Sequence, residues 1–405
     1  MTTTSYPRRV AVALAFCLCL VAVAWPVSGQ RADQAGPAVS SDRLARIGQM
    51  IDRRIAAGEV PGTVTLVAQN GRVVHFEVRG VMDIETKRPL AKDAIFSLAS
   101  LTKPVTTVAI LMLVEEGKVR LSDAISKFIP AYADVKVAVT PARTVAVSRP
   151  VTIRDLLTHT SGFVSPAQIP TDANATLAEF IPRFASEPLE FQPGTQWTYS
   201  NTVAFDTLAR IVEIVSGETY DRFLRERIFE PLGMRDTAHA LSAAQKSRLA
   251  TRYDVTANGL RKAVRPETPR YFGGGWGLNS TAEDYYKFAQ MLLNKGEVGG
   301  KRLLSPRAVE LMQAVNIPDT LPGRTPGTSW GLGVRVISDN AKAGVFLSTG
   351  SFGWSGATGT HFWVDPAENL VAVLMTGAPT ANLRADFETL VMQALPIRPA
   401  ASQTQ

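Results

Sequence analysis

Ser100-Leu101-Thr102-Lys103-Pro104-Val105-Thr106-Thr107-Val108-Ala109-Ile110-Leu111-Met112-Leu113 is the stretch whose reading decides the fold. From Val105 to Leu113 it is apolar almost all round, and Gly117 follows, which predicts a buried helix. Ser100 and Lys103 stand three residues apart, on one helical face. A serine hydroxyl needs a base within hydrogen-bond reach to attack at neutral pH. A lysine can be that base once burial or a neighbouring charge lowers its pKa. Unpaired N–H groups at the helix start suit a developing oxyanion. Pro104 falls in the first turn, where a missing N–H does least harm, and it disfavours helical geometry at Lys103. Alone, this S-x-x-K reads as a capping serine beside a solvated lysine; the rest of the chain has to decide.

Outward from this helix, the patterns alternate between sheet and helix. Residues 41–57 carry Leu44, Ile47, Ile51 and Ile55 on one face, with Gly58 after them, and predict an amphipathic helix. Thr63 to Gln69 and Arg72 to Val78, joined by Asn70-Gly71, predict a hairpin. Residues 121–270 read mostly as helices, clearest at Thr176–Phe184, Val203–Val215 and Tyr220–Ile228; Val135–Val147 fits no pattern. The last third predicts helices at Thr281–Leu293, Pro306–Val315 and Leu383–Leu395. Strands are expected at Gly331–Ile337, Gly359–Val364 and Leu370–Thr376. This order implies a sheet assembled from both ends of the chain around a helical insertion, with a cleft between the parts as the natural site.

Two further elements could face that cleft. Tyr199-Ser200-Asn201 lies in the middle segment, and alternate positions on an extended loop point the same way. A tyrosine near a lysine can lose or relay a proton more easily. Gly350-Ser351-Phe352-Gly353-Trp354-Ser355-Gly356-Ala357 is rich in small residues, which let another backbone come close. A capping loop and a glycine turn are the ordinary readings of these two stretches.

Composition narrows the function classes. The chain has 405 residues and a formal charge of +7, with basic residues scattered and no aromatic interleaving, which argues against nucleic-acid binding. Arg8-Arg9, an apolar run from Val10 to Val27, and the small residues Val27-Ser28-Gly29 predict a cleaved signal peptide over 1–29; an uncleaved membrane anchor, interrupted at its end by Pro26, is the alternative. Both cysteines, Cys17 and Cys19, fall inside it, so the mature chain is expected to have no disulfide and no thiol chemistry. The four histidines form no metal-ligand spacing, and no metal site is expected. Residues 30–40 read as a flexible tail. The expected location is periplasmic or secreted, with no stable membrane insertion once the leader is cleaved.

Together, Ser100–Lys103, Tyr199–Asn201 and Trp354-Ser355-Gly356 resemble the serine β-lactamase and penicillin-binding-protein superfamily. The likeness is closest to class C β-lactamases and family VIII carboxylesterases. Leu156-Leu157-Thr158-His159-Thr160-Ser161-Gly162, Glu230-Pro231-Leu232-Gly233-Met234 and Gly273-Gly274-Gly275-Trp276-Gly277-Leu278 add to it. The resemblance implies an α/β fold, an antiparallel sheet flanked by helices plus an all-α insertion, over residues 41–398. The α/β part would cover about 41–120 and 271–398, and the helical part about 121–270. It implies acyl-enzyme chemistry without cofactor. Ser100 would attack, and Lys103 and Tyr199 would share general-base and general-acid roles. Asn201 would orient substrate or lysine. The N–H groups of Ser100 and Ala357 would form the oxyanion hole, and Trp354, Ser355 and Gly356 would bind substrate.

Trp354 stands where family β-lactamases place a lysine. Tryptophan offers an apolar face and one N–H donor but no charge. Arg335 and Lys342 are the cations nearby in sequence. The expectation is therefore an exported serine hydrolase, carboxylesterase-like, acting on small esters. The alternatives are a β-lactamase or D-amino-acid peptidase acting on cell-wall peptides, and a non-catalytic binding homologue. Gly327-Thr328-Ser329-Trp330-Gly331 matches the G-x-S-x-G nucleophile elbow, with Asp339 and His361 in triad order. That elbow needs a strand before the serine and a helix after it. Here Pro322, Pro326 and Gly327 precede, strand alternation follows, and the serine is expected to be inert.

Overall fold

The structure, a computed structural model, describes residues 39–163, 174–264, 270–380 and 382–396. The expected leader and nearly all of the expected tail lie outside the described residues.

Eight antiparallel strands form the main sheet. They are β1 (Gly62–Gln69), β2 (Arg72–Asp83), β3 (Arg88–Pro89), β4 (Thr328–Trp330), β5 (Arg335–Ile337), β6 (Phe352–Ser355), β7 (His361–Asp365) and β8 (Leu370–Thr376). Their order is β4-β5-β6-β7-β8-β1-β2-β3, so the two ends of the chain meet where β8 pairs with β1. Asn70 and Gly71 both have positive φ (53° and 72°), the geometry a two-residue hairpin turn requires.

Side-chain alternation sorts the strands into two faces. Val67, Trp363, Ala372 and Leu374 pack against helices α1 (Ser41–Ala56) and α6 (Leu383–Met392). Val64, Leu66, Phe362, Val364, Val373 and Met375 face α2 (Thr102–Glu115) and α5 (Ala282–Leu293). Between α2 and α5 in sequence lie α3 (Ile153–Thr158) and α4 (Val203–Ser216), which belong to the same core. Burial of α2 is nearly complete, from Thr102 through Leu113, as its composition demands.

The structure refines several expectations. Val135–Val147 is a hairpin, Lys136–Thr140 with Arg143–Ala146, and a second hairpin pairs Tyr253–Thr256 with Gly259–Lys262, so the helical insertion carries two small β elements. In the first, Val137 is buried while Val139 and Val145 are exposed, a weak alternation to read from sequence. Of the strand expected at Gly331–Ile337 only Arg335–Ile337 is a strand, because Gly333 (φ 68°) turns the chain so that it pairs back on Thr328–Trp330. The helix expected over Thr176–Phe184 is α-helical only at Leu177–Phe180 and then tightens to a 3₁₀ turn, where Pro182 supplies no N–H. Among the described residues no helix is long and apolar enough to cross a membrane.

Candidate active site

Ser100 sits in a 3₁₀ turn, Ala99–Leu101, that runs directly into α2. Ala99 has φ 47°, a left-handed conformation costly for a residue with a Cβ, on the order of 1–3 kcal/mol. Its neighbours hold it there. Thr102 Oγ1 donates to Ala99 O at 2.8 Å and accepts from Leu278 N at 3.3 Å. Across the turn, Thr358 Oγ1 donates to Ser97 O (2.7 Å) and Thr360 Oγ1 to Leu98 O (3.0 Å). These bonds staple the turn between β6 and β7 to the residues just before Ser100. Gly356 is required for that approach, because a Cβ there would lie 2.3 Å from Leu98 O. Ala357 follows in the same turn.

Lys103 occupies α2 in regular geometry despite Pro104 and is fully buried. Its Nζ lies 3.2 Å from Ser100 Oγ and donates to Asn201 O (2.7 Å) and Gly275 O (2.9 Å). The rings of Tyr199 and Phe205 stand 5.0 and 5.5 Å from Nζ, within cation–π range. Asn201 thus touches the lysine through its backbone carbonyl.

Tyr199 is half-buried, and its hydroxyl accepts from Trp354 Nε1 at 3.0 Å. The structure therefore gives Trp354 a polar task that its apolar face did not suggest. Ser355 and Gly356 continue along the same strand end. β5 pairs only with Phe352 and Gly353 of β6, so the cleft-side edge beyond Gly353 has no strand partner.

Three supporting residues were not singled out from the sequence. His159 ends α3 with φ 57°, accepts from Ser200 N through Nδ1 (3.1 Å), and lies 4.5 Å from the Tyr199 ring. Burial, then the charge of Lys103, pushes its pKa well below the ordinary histidine range. The only sequence signal was its place in the Leu156–Gly162 stretch. Asp206 accepts from Gly275 N (2.8 Å) and from the Tyr271 hydroxyl (2.8 Å), and so fixes the loop whose Gly275 carbonyl meets Lys103. Burial raises its pKa against these donors. An aspartate inside the apolar run Val203–Val212 was the available clue. The third is Arg384 on α6, whose guanidinium reaches Gly356 O at 3.4 Å. Burial first, then repulsion from Arg335, lowers its pKa, and Glu388 opposes that shift. Of the cations expected nearby, Lys342 pairs with Asp339 (3.1 Å) and Arg335 with Glu388 (2.8 Å). The cation that reaches the Gly356 turn comes from the closing helix instead.

The formal Ser329-Asp339-His361 triad is dispersed. Ser329 lies inside strand β4, buried, with Oγ 3.4 Å from Ile317 O. Asp339 caps a short helix, Asn340–Ala343, and His361 is bonded to Glu388 (2.9 Å). Among the described residues no group of His, Cys, Asp and Glu is arranged to hold a metal ion.

Residues 47–394 match the family described as Beta-lactamase. "Protein Rv1367c" of Mycobacterium tuberculosis is 33% identical over 347 residues, covering 79% of this chain and 86% of that one. "Esterase EstB" of Burkholderia gladioli is 29% identical over 363 residues, covering 82% and 90%. Among solved structures, "EstCE1, a hydrolase with promiscuous acyltransferase activity" superposes with a TM-score of 0.74 at 26% identity, over 87% of this chain and 98% of that one. The chain belongs to the Beta-lactamase family of serine hydrolases.

Proposed function

We propose that this protein hydrolyses small neutral esters through an acyl-enzyme on Ser100. The observation that carries the reading is the coordination of Lys103. An ammonium has three N–H donors and a neutral amine two. With Lys103 neutral, the Asn201 and Gly275 carbonyls take both hydrogens, and the lone pair is left facing Ser100 Oγ at 3.2 Å. Ser100 Oγ then bonds to the acyl carbon while its proton passes to Lys103 Nζ. The carbonyl oxygen becomes an oxyanion, held by the N–H groups of Ser100 and Ala357. Collapse breaks the ester C–O bond, and the proton returns to the leaving alkoxide through Tyr199. Water repeats the course in reverse and releases the acid. Asn201 orients the lysine, and Trp354, Ser355 and Gly356 form the wall along which the substrate lies.

Esters are favoured over β-lactams for a charge reason. Trp354 spends its one N–H on Tyr199 and supplies no cation of its own, and the guanidinium of Arg384 is turned to the Gly356 carbonyl (3.4 Å) rather than taking the place of a side-chain cation at 354. An ester needs no such anchor. The names of EstB and EstCE1 agree with this choice. Side-by-side turnover of short-chain aryl esters and a chromogenic cephalosporin tests it: kcat/KM should be higher for the esters, and a preference for the cephalosporin over every ester tried overturns the substrate class. Export belongs to the same reading. N-terminal sequencing of secreted or periplasmic protein should begin near Gln30; an intact Met1 in a membrane fraction would favour an anchor.

A further inference from the structure

A cavity of about 760 Å³ stands apart from the catalytic cleft: none of Ser100, Lys103, Tyr199 and Trp354 lines it. That volume is in the range of small-molecule sites. The cavity is built on Glu230-Pro231-Leu232-Gly233-Met234, a stretch that the acyl-transfer chemistry does not use. The turn leading into this stretch, Arg225–Phe229, is π-helical, and its two end residues line the cavity. Such turns are rare and recur at functional sites. Phe229, Leu232, Met234 and Val298 supply an apolar wall.

The polar lining is unbalanced in two ways. Asp221 and His239 both line the cavity, and Asp221 Oδ1 and His239 Nδ1 are buried without a hydrogen-bond partner. His239 Nε2 lies 3.1 Å from the Gly273 carbonyl, which can only accept, so Nε2 carries the ring hydrogen and Nδ1 keeps a lone pair. Burial pulls the His239 pKa down to about 4, against the Gly273 carbonyl and the charge of Asp221, so the ring is neutral at pH 7. Two acceptors are therefore left unpaired where buried polar atoms are nearly always paired. The second imbalance is positive. Arg235 and Lys301 are exposed on the same lining, and their side chains have no ion-pair partner among the described residues. The third cation, Arg225, is shared by Glu226 (3.4 Å) and Glu230 (3.8 Å). A simple amine would meet two uncompensated cations here. A simple anion would leave Asp221 and His239 unpaired. A molecule carrying both an ammonium and a carboxylate satisfies both sets.

We propose that this cavity is a binding site for a zwitterion with an apolar body: an apolar amino acid, or a short peptide of such residues. Asp221 and His239 take the ammonium, Arg235 and Lys301 take the carboxylate, and Phe229, Leu232 and Met234 pack against the side chain. The site is separate from the ester chemistry at Ser100 and does not depend on it.

Isothermal titration calorimetry of the full chain with L-leucine and with L-leucyl-L-leucine tests the assignment. Saturable one-site binding of at least one probe is expected, and the tighter of the two tells a free amino acid from a peptide. The N-acetyl form of that probe, which lacks the ammonium, and its C-terminal amide, which lacks the carboxylate, should each bind at least about tenfold more weakly, the scale of a hydrogen bond to a charged group. Asp221→Asn should weaken the free probe by a similar factor and leave the N-acetyl form unchanged. Arg235→Gln, at an exposed position that the fold does not need, should weaken the free probe and leave the amide unchanged. Binding should persist in Ser100→Ala and in protein carrying a phosphonate on Ser100. No saturable binding of either probe, blocked forms that bind as well as the free zwitterion, unaltered affinity in both variants, or binding lost when the catalytic cleft is filled would each overturn the inference. Calorimetry needs no turnover, so failure of the ester reading would leave this test intact.

Discussion

Two serines in this chain sit in stretches that match a nucleophile motif, and the molecule treats them in opposite ways. Ser100 occupies a strained turn ahead of a buried helix, with an amine 3.2 Å from its hydroxyl. Ser329 occupies the middle of a three-residue strand, buried, with only a long contact to a backbone carbonyl. The difference lies in what surrounds each serine. Around Ser100, α2, the Tyr199 loop, the Gly273–Gly275 loop and the end of β6 converge on a few atoms. Around Ser329 lie an edge strand, the tryptophans Trp197 and Trp354, and the carbonyl of Ile317, which is the group its hydroxyl meets. A nucleophile is thus made by convergence of separate elements, and a local motif cannot supply it.

The comparison can be broken or sharpened by substitution. Ser100→Ala should have the largest effect, a loss of more than about 10⁴-fold in kcat with the fold intact, since residues that act as a catalytic unit fail together. Near-normal turnover in that variant would break the comparison at once. Lys103→Ala and Tyr199→Phe should each lower kcat by at least about 10²-fold, the scale of a lost acid or base. The double variant should be far from additive if the two handle one proton. A wild-type rate in either single variant removes that residue from the mechanism.

His159 separates support from chemistry. His159→Ala leaves the Ser200 N–H without its acceptor and should cost about 1–3 kcal/mol in stability. The pH dependence has a definite sign. The folded protein refuses a proton that the unfolded chain accepts, so this stabilisation is full above the ordinary histidine pKa of 6.5 and is lost as pH falls below it. Denaturant melts from neutral to mildly acidic pH should show that slope in the wild type and a shallower one in the variant; equal slopes would remove His159 as its source. Ser329→Ala should have the smallest effect, with most activity retained. A large loss with normal folding would revive the elbow.

Much of this was legible from the residues alone. The continuous apolar run announced α2, Asn70-Gly71 announced the first hairpin, and the order of elements announced a sheet built from both chain ends. Local pattern could not show the groups that act from a distance. Arg384 approaches Gly356 only because α6 packs across the sheet, and Asp206 steadies Gly275 only because α4 meets that loop. Trp354 was legible as a missing cation, but not as a donor to Tyr199, since that depends on ring orientation. The exposed valines of the hairpin at Lys136–Ala146 hid it, because alternation is clear only where one face is buried.

The most direct measurement is covalent. The purified protein is treated with an activated aryl phosphonate, digested, and mapped by mass spectrometry. The account predicts one modified residue, Ser100, with labelling lost in Ser100→Ala and kept in Ser329→Ala. A label on Ser329, or labelling of Ser100→Ala at the wild-type rate, would contradict it.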